Sequence, residues 1–179
     1  MKSPFYCFFL LVALLVSVPV CAQTNRSFVK GYHGNVELGN YATFGENQVG
    51  GIVMLATTHG YSTGTGMFVG AGVGYGYDIA PDMFVSSAFL DFKYNFVDTP
   101  VSPFLAARTG ARFGFARDDS VGQFVSLACG VDFGRFSARV GYEYASVRQQ
   151  IYLNSRTSPV VAYQKPSQFY FSIAFVFGK

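Results

Sequence analysis

Charged side chains recur on one face of segments that otherwise have the alternating pattern of β-strands. Arg108 and Arg112 on this face could bind an anionic solute, or they could pair with carboxylates of the same chain. Because the face carries as many acids as bases, we favour internal pairing, in which the charges neutralise one another. The eight residues of this predicted network are Glu37, Asp91, Lys93, Arg108, Arg112, Asp132, Arg139 and Glu143.

The chain contains two histidines, His33 and His59, which are the other candidates for chemistry. His33 shares the charged face with Glu37, and His59 lies near the end of its strand. Nucleophilic catalysis needs a nucleophile, a base and a group that orients the base, and the sequence offers no such set. Both histidines are therefore predicted to be structural, and no catalytic residue is assigned.

Metal and cofactor sites are also not expected. No group of residues has the spacing of metal ligands. The Gly-x-Gly repeats of residues 70–76 lie inside a strand and no helix follows them, so they fail the context test for a nucleotide-binding loop. The sequence predicts no cofactor.

The alternation that positions the charges is clearest from Met67 to Tyr77, where valine, alanine and tyrosine alternate with glycine. Successive side chains of a strand point to opposite faces, so the four glycines share one face. Glycine is a poor strand former, and a row of it indicates a crowded space that side chains of other strands enter. A small closed barrel provides such a space.

Eight segments share this alternation, and no segment has a convincing helical period. A tilted strand crosses a bilayer with about 9–11 residues, and these segments are long enough. The sequence therefore predicts an all-β fold, an eight-stranded antiparallel up-and-down transmembrane barrel. The predicted strands are Phe28–Tyr41, Gly50–Tyr61, Met67–Tyr77, Met83–Phe96, Ser102–Phe115, Val121–Phe133, Phe136–Arg148 and Ser167–Phe177.

The face opposite the charges is apolar almost throughout, and Cys129 lies on it. A lysine or arginine facing lipid near the midplane costs about 2–4 kcal/mol, so the charged face is predicted to line the lumen. The second strand is apolar on both faces between Ile52 and Thr57 and gives no orientation. An eight-stranded barrel is just wide enough to be filled by side chains, so the lumen is expected to be plugged.

A two-residue connection, Gly134-Arg135, predicts a type II′ hairpin with glycine in the first position. Its register places Gly130 opposite Arg139, with Asp132 on the diagonal. We expect Gly130 to make room for Arg139 and Asp132 to supply its counter-charge. On the fourth and fifth strands, Asp91 is expected to pair with Arg108.

Residues 1–22 have the features of a cleavable signal peptide: Lys2, an apolar run from Phe5 to Val18, and the small-residue exit Val20-Cys21-Ala22. A lipid-modified Cys21 is the less favoured alternative because Val20 is large. Residues 23–179 would then form one barrel domain. The chain has 13 Lys and Arg against 10 Asp and Glu, and without a basic run it is not expected to bind nucleic acid.

Several stretches resemble the small outer-membrane β-barrel proteins of Bacteroidota, which belong to the outer-membrane-protein-A/X-like and PorT-like barrels. They include Lys30–Gly39, Phe68–Gly74, Asp91–Phe96 and the terminal Gln-Phe-Tyr-Phe-Ser-Ile-Ala-Phe-Val-Phe. The resemblance implies export, insertion by the outer-membrane assembly machinery, and contact with outer-membrane lipid and lipopolysaccharide. The chain departs from many such barrels by ending on Gly178-Lys179, after the aromatic residue.

The function predicted on this basis is that of a monomeric, non-enzymatic outer-membrane barrel with a structural or surface-interaction role. The connections Ala42–Val49 and Gln149–Pro166 are expected to carry any partner contact, because loops on a rigid scaffold usually carry binding. The partner itself is not identified by the sequence. The residues predicted to make these contacts are Tyr152, Arg156, Tyr163 and Lys165.

Three alternatives stay open. One is a lipid A-modifying barrel enzyme that would depend on His33, and another is a porin-like barrel that binds a small solute or ligand. The third is a soluble, lipocalin-like barrel with its apolar face inside. Four loop aspartates could also share divalent cations with lipopolysaccharide, although aspartate is a common turn residue; these are Asp78, Asp82, Asp118 and Asp119.

Overall fold

The computed structural model describes residues 28–45, 48–79, 82–115, 120–151, 160–164 and 167–178. The predicted signal peptide lies outside these ranges. None of the described residues belongs to a helix that is long and apolar enough to cross a membrane. The described residues form the strands β1 (Gly31–Gly45), β2 (Gln48–Ser62), β3 (Met67–Asp78), β4 (Met83–Asn95), β5 (Val101–Phe115), β6 (Ser120–Phe133), β7 (Phe136–Ile151), β8 (Val160–Gln164) and β9 (Ser167–Phe177).

These strands close into a barrel. Each strand from β1 to β7 pairs antiparallel with the next, and β9 pairs with both β7 and β1. The short β8 pairs with β7 in the same register as β9, so β8 and β9 together form the eighth barrel strand. The predicted eight-stranded antiparallel up-and-down barrel is confirmed.

The two ends of the barrel differ. We call the end that holds the start of β1 and the connections after β2, β4 and β6 the turn end. The opposite end, with the connections after β1, β3, β5 and β7, is the loop end. At the turn end Gly134 has a φ of 63° and Phe133 pairs with Phe136, which confirms the predicted hairpin and its register.

At the loop end the strands run further than predicted. The expected loop Ala42–Val49 is wrong, since Ala42 pairs with Gly51 and Phe44 with Val49. The connection after β7 is also shorter than expected, because β7 continues to Ile151 and β8 pairs back onto it. The predictions ended these strands where the alternation weakens, whereas backbone pairing carries each hairpin on towards its tip.

At the turn end β1 begins later than predicted, at Gly31 instead of Phe28. The amide of Phe28 donates a hydrogen bond to a carboxylate oxygen of Asp98 at 3.0 Å, so it is unavailable to a strand ladder. Gly31 has a φ of 139°, a value that L side chains rarely adopt and that separates this segment from the strand.

The two faces of the sheet are divided between an apolar outer wall and a polar lumen. Leu127 is 67% exposed on the outer wall, whereas Asp91 is 0% exposed inside. Cys129 is exposed on the outer wall. The structure also shows which face of β2 points inward, a question that the sequence did not decide: Ile52 and Met54 are buried. Apolar side chains therefore cover the outside, as predicted, and charges line the inside.

The glycine face of β3 lies inside the barrel and accommodates large side chains of neighbouring strands. A Cβ atom on Gly72 would lie 2.5 Å from the ring of Phe89 on β4. A Cβ atom on Gly74 would lie 2.9 Å from the sulfur of Met54 on β2. The crowding that the glycine row predicted is therefore present, and at Gly72 and Gly74 it includes these two residues on adjacent strands.

Gly130 serves a different neighbour from the one predicted. It lies opposite Arg139 in the ladder, as expected. The space above it, however, is occupied by the ring of Phe104 on β5 and not by the arginine. The guanidinium of Arg139 extends instead towards the middle of the lumen.

Candidate functional site

Four charged side chains meet in the middle of the lumen, and we call them the central cluster. Arg108 donates hydrogen bonds to both carboxylate oxygens of Glu37, at 2.8 and 3.3 Å, and to Asp91 at 3.0 Å. Arg139 donates to the same oxygen of Asp91 at 3.2 Å. No side chain of the four is more than 7% exposed. Two acids and two bases thus balance in a buried site.

The partners in this cluster lie across the lumen as well as on neighbouring strands. Asp91 and Arg108 pair directly, as the sequence suggested. Arg139 was expected to pair with Asp132 on the neighbouring strand, and the structure pairs it with Asp91 on β4 instead. Inward side chains of a narrow barrel converge on its axis, so strands that are not adjacent can supply partners. Asp132 instead forms a salt bridge with Lys93, with 2.8 Å between Nζ and Oδ2.

Two further ion pairs flank the central cluster, one on each side. Towards the turn end, Asp132 accepts hydrogen bonds from the ammonium group of Lys93 and from the side-chain amide of Asn95, both at 2.8 Å. Towards the loop end, a salt bridge of 2.9 Å joins Arg112 to Glu143. All eight charged residues singled out from the sequence therefore lie in the lumen, and each forms an ion pair.

Aromatic rings, which were not among the residues predicted for the lumen, lie between the charged layers. The guanidinium of Arg108 lies 4.1 Å from the ring centroid of Phe89. The ring of Phe104 lies between Lys93, at 4.9 Å, and Arg139, at 5.7 Å. Such contacts of cations with ring faces are attractive. A signal was present, because Phe89 stands two positions before Asp91 and so shares its face.

This arrangement leaves little capacity for a charged ligand. The terminal nitrogens of Arg108 already donate to Glu37 and Asp91, so an anion would have to displace a bonded carboxylate. No group of three or more His, Cys, Asp or Glu side chains suited to a metal ion occurs in the described ranges. The charged side chains of the lumen therefore neutralise one another.

His33 and His59 lie on opposite sides of the wall. His33 is buried on the lumen side, and His59 is exposed on the outer wall near the turn end. The Nδ1 atom of His59 is 2.5 Å from the hydroxyl of Tyr32, and its Nε2 atom is 3.1 Å from the hydroxyl of Thr57. These three residues resemble a nucleophile, a base and an orienting group, a set that was not predicted from the sequence.

The hydrogen bonds of the three residues favour a structural role. The hydroxyl of Thr57 donates to the main-chain carbonyl of Asn35 at 3.1 Å, so its proton is not directed at His59. The consistent assignment has Tyr32 donating to Nδ1 and Nε2–H donating to Thr57. Phe177 packs against the same imidazole at a centroid distance of 5.9 Å, which ties β9 to β1 and β2.

The residues predicted to contact partners fall largely beyond what the structure describes. Tyr163 belongs to β8, although its side chain is not described. Asp82 accepts a hydrogen bond from the hydroxyl of Tyr77, a normal role for a turn aspartate. The following lie outside the described residues: Tyr152, Arg156, Lys165, Asp118 and Asp119.

The fold is similar to that of small outer-membrane β-barrels. The crystal structure of Neisserial surface protein A (NspA) matches with a TM-score of 0.53 and 14% identity, over 82% of this chain and 97% of that chain. The crystal structure of the outer membrane enzyme PagL matches with a TM-score of 0.53 and 17% identity, over 79% of this chain and 98% of that chain. No family model matches the sequence, and no curated protein is significantly similar to it.

The class defined by the fold is thus the closed eight-stranded barrel of outer-membrane proteins. At these identities the likeness shows the fold alone, and the two matched proteins include one enzyme. The resemblance to barrels of Bacteroidota stays a prediction.

Proposed function

We propose that this chain is an integral outer-membrane barrel without catalytic activity, whose side chains plug its lumen. The observation that carries the proposal is the division of the wall: paired ions fill the inside and apolar side chains cover the outside. The role that fits such a scaffold is structural support of the membrane or contact at its surface. The proposal includes export by the predicted signal peptide and a monomeric state.

The outer wall supports a position in a membrane. The barrel strands are 11 residues or longer, from β9 at 11 to β7 at 16, which is enough to cross a bilayer. Half-exposed tyrosines mark the turn end, at Tyr32, Tyr61 and Tyr94, and aromatic residues such as Tyr75 and Phe84 mark the loop end. Aromatic girdles of this kind flank the apolar band of outer-membrane barrels. We place the turn end in the periplasm and the loop end outside.

Cell fractionation tests the location. We expect the full-length chain to be recovered with the outer membrane and to need detergent for extraction. The folded barrel should also migrate differently on a gel before and after boiling, because a closed hydrogen-bonded barrel resists dodecyl sulfate until it is heated. Recovery of folded protein in a detergent-free periplasmic extract would contradict the proposal and favour the soluble, lipocalin-like alternative.

Electrical recording tests the plugged lumen. Because the four side chains of the central cluster meet in the middle of the lumen and are at most 7% exposed, we expect the refolded protein to give no stable open-channel current in planar bilayers. A general porin added to the same membranes serves as the positive control. A reproducible stepwise current would support the porin-like alternative.

The absence of catalysis is supported by the outer-wall histidine. His59 is held by Tyr32 and Thr57 in a closed chain of hydrogen bonds that ends on a main-chain carbonyl. The main-chain amides beside it take part in the β1–β2 and β2–β3 ladders, so none is free to stabilise an oxyanion.

Surface contact, if it occurs, is assigned to the loop end. The β7–β8 hairpin is the longest connection there, and loops on a rigid scaffold usually carry binding. We retain Tyr152, Arg156, Tyr163 and Lys165 as the proposed partner contacts. Lipopolysaccharide would surround this end, and the assembly machinery would insert the chain.

A further inference from the structure

The lumen is not filled evenly, because a small polar cavity lies at the turn end. Its volume is about 30 Å³. We call it the turn-end vestibule. Gly66 and Gly134 of the turn-end connections belong to its lining, so it adjoins that mouth of the barrel. Its polar lining consists of His33, Asn35, Ser62, Lys93, Asn95 and Asp132.

Two buried oxygen atoms of this lining accept no hydrogen bond from the described residues. They are Oδ1 of Asn35 and Oδ1 of Asp132. The ammonium group of Lys93 donates to Oδ2 of Asp132, which leaves it further donor capacity. A buried polar atom without a partner is costly, so a lining of this kind favours a guest that both donates and accepts hydrogen bonds.

The guest that fits is small and neutral. A water molecule needs a cavity of about 10–15 Å³, so the vestibule has room for roughly two. The charges of Lys93 and Asp132 already balance at 2.8 Å, and an added ion would bring a charge without a counterpart. Water, or a neutral hydrogen-bonding solute of similar size, meets both conditions.

The vestibule ends at Phe104. This residue is 1% exposed, and its ring lies between Lys93 of the vestibule and Arg139 of the central cluster. The ring also covers Gly130, so a side chain from β6 does not compete for the position. Beyond the ring, Arg139 and Asp91 close the lumen with their hydrogen bonds.

We propose that the turn-end vestibule is a blind, water-filled site that admits small neutral polar molecules from the turn end, with Phe104 as its floor. The proposed function requires only that no continuous path crosses the barrel. The vestibule goes further, since it separates two levels of the described lumen: Lys93 and Asp132, at 15% and 14% exposure, are open to solvent at the turn end, and the central cluster is not.

Cysteine labelling of the folded, detergent-solubilised barrel tests the two levels. In a Cys129→Ala background of residues 23–179, which lack Cys7 and Cys21, Ser62→Cys places a thiol in the vestibule lining at a position that is 5% exposed. Ser172→Cys places one at a position that is 1% exposed, opposite Arg139. With hydrogen peroxide, a neutral oxidant close in size to a pair of water molecules, we expect the thiol of Ser62→Cys to be labelled by oxidation to the sulfenic acid, with the peroxide reduced to water, and the thiol of Ser172→Cys to stay protected. Protection at residue 62, or labelling at residue 172, would overturn the proposal.

Removal of the ring tests the floor. Phe104→Ala should abolish the protection of Ser172→Cys, whereas Phe92→Ala removes a ring from the outer wall and should leave it protected. If Phe104→Ala does not fold, judged by gel mobility before boiling, Phe104→Val opens a smaller gap and should give partial labelling. Continued protection in a folded Phe104 variant would show that another group is the floor and would overturn the assignment.

Discussion

Asp91→Ala is expected to lower the free energy of unfolding of the barrel by about 3–5 kcal/mol, the cost of breaking a buried ion pair by removing one partner. Asp91 is 0% exposed and accepts hydrogen bonds from two arginines, Arg108 and Arg139. Arg108 keeps Glu37 in the variant. Arg139 loses the carboxylate to which it donates, and its charge stays buried in the lumen without a direct partner.

Urea unfolding in lipid vesicles, followed by tyrosine fluorescence, measures this loss. Asp98→Ala is the matched control: Asp98 is exposed and the hydrogen bond that it accepts from the amide of Phe28 is exposed too, so its removal should cost no more than about 1 kcal/mol. A loss for Asp91→Ala as small as that of the control would mean that the central cluster contributes little to stability.

A second substitution tests whether charge balance is the cause. Asp91→Ala together with Arg139→Met leaves Glu37 and Arg108 as a complete pair joined by two hydrogen bonds. The double variant should therefore recover part of the stability that Asp91→Ala loses. Losses that simply add would indicate that the two side chains matter for packing and not for their charges.

The class of fold and the direction of its faces could be predicted because both follow from local alternation. A strand turns successive side chains to opposite faces, so the parity of Asp91 and Lys93 against Leu90 and Phe92 separates lumen from wall. The hairpin at Gly134 likewise depends on adjacent residues. In each case the physical cause acts within a few positions of the chain.

Partners across the lumen could not be predicted, because closure of the barrel decides them. The register between β6 and β7 correctly places Arg139 opposite Gly130, yet its carboxylate partner comes from β4. Parity alone also admits aromatic residues to the lumen, although none was among the residues predicted to line it. The buried Phe104, which shares its face with Arg108, shows that a mixed polar and aromatic row is typical of this narrow interior.

Strand ends were the least predictable feature. Ala42–Val49 contains a glutamate, an asparagine and a glycine, which are residues common in loops, and the structure pairs most of it as a hairpin. Main-chain hydrogen bonds do not depend on side-chain polarity. The connection between β1 and β2 is for this reason shorter than the sequence indicated. The proposed partner contacts are therefore assigned to the β7–β8 hairpin.

Gly72→Ala is expected to destabilise the barrel by about 1–3 kcal/mol, the usual cost of overpacking. The sign is informative, since replacing glycine by alanine at a compatible backbone conformation normally stabilises by about 0.4–1 kcal/mol through the unfolded state. A Cβ atom at residue 72 would lie 2.5 Å from the ring of Phe89 and 2.5 Å from the main-chain oxygen of Thr57. The ring could shift at some cost, whereas the main-chain oxygen belongs to the neighbouring strand and cannot.

Gly39→Ala is the matched control for that variant, because the same substitution meets a looser site in the same lumen. A Cβ atom there would lie 3.2 Å from the ring of Tyr41 and 3.5 Å from Ser172, so a shift of a few tenths of an ångström relieves the closer contact. We expect Gly39→Ala to unfold at nearly the wild-type urea concentration and Gly72→Ala at a clearly lower one. Equal midpoints for the two variants would show that the glycine row of β3 is not there to admit the side chains of its neighbours. The row would then need another cause, such as the bending of the strand in a small barrel.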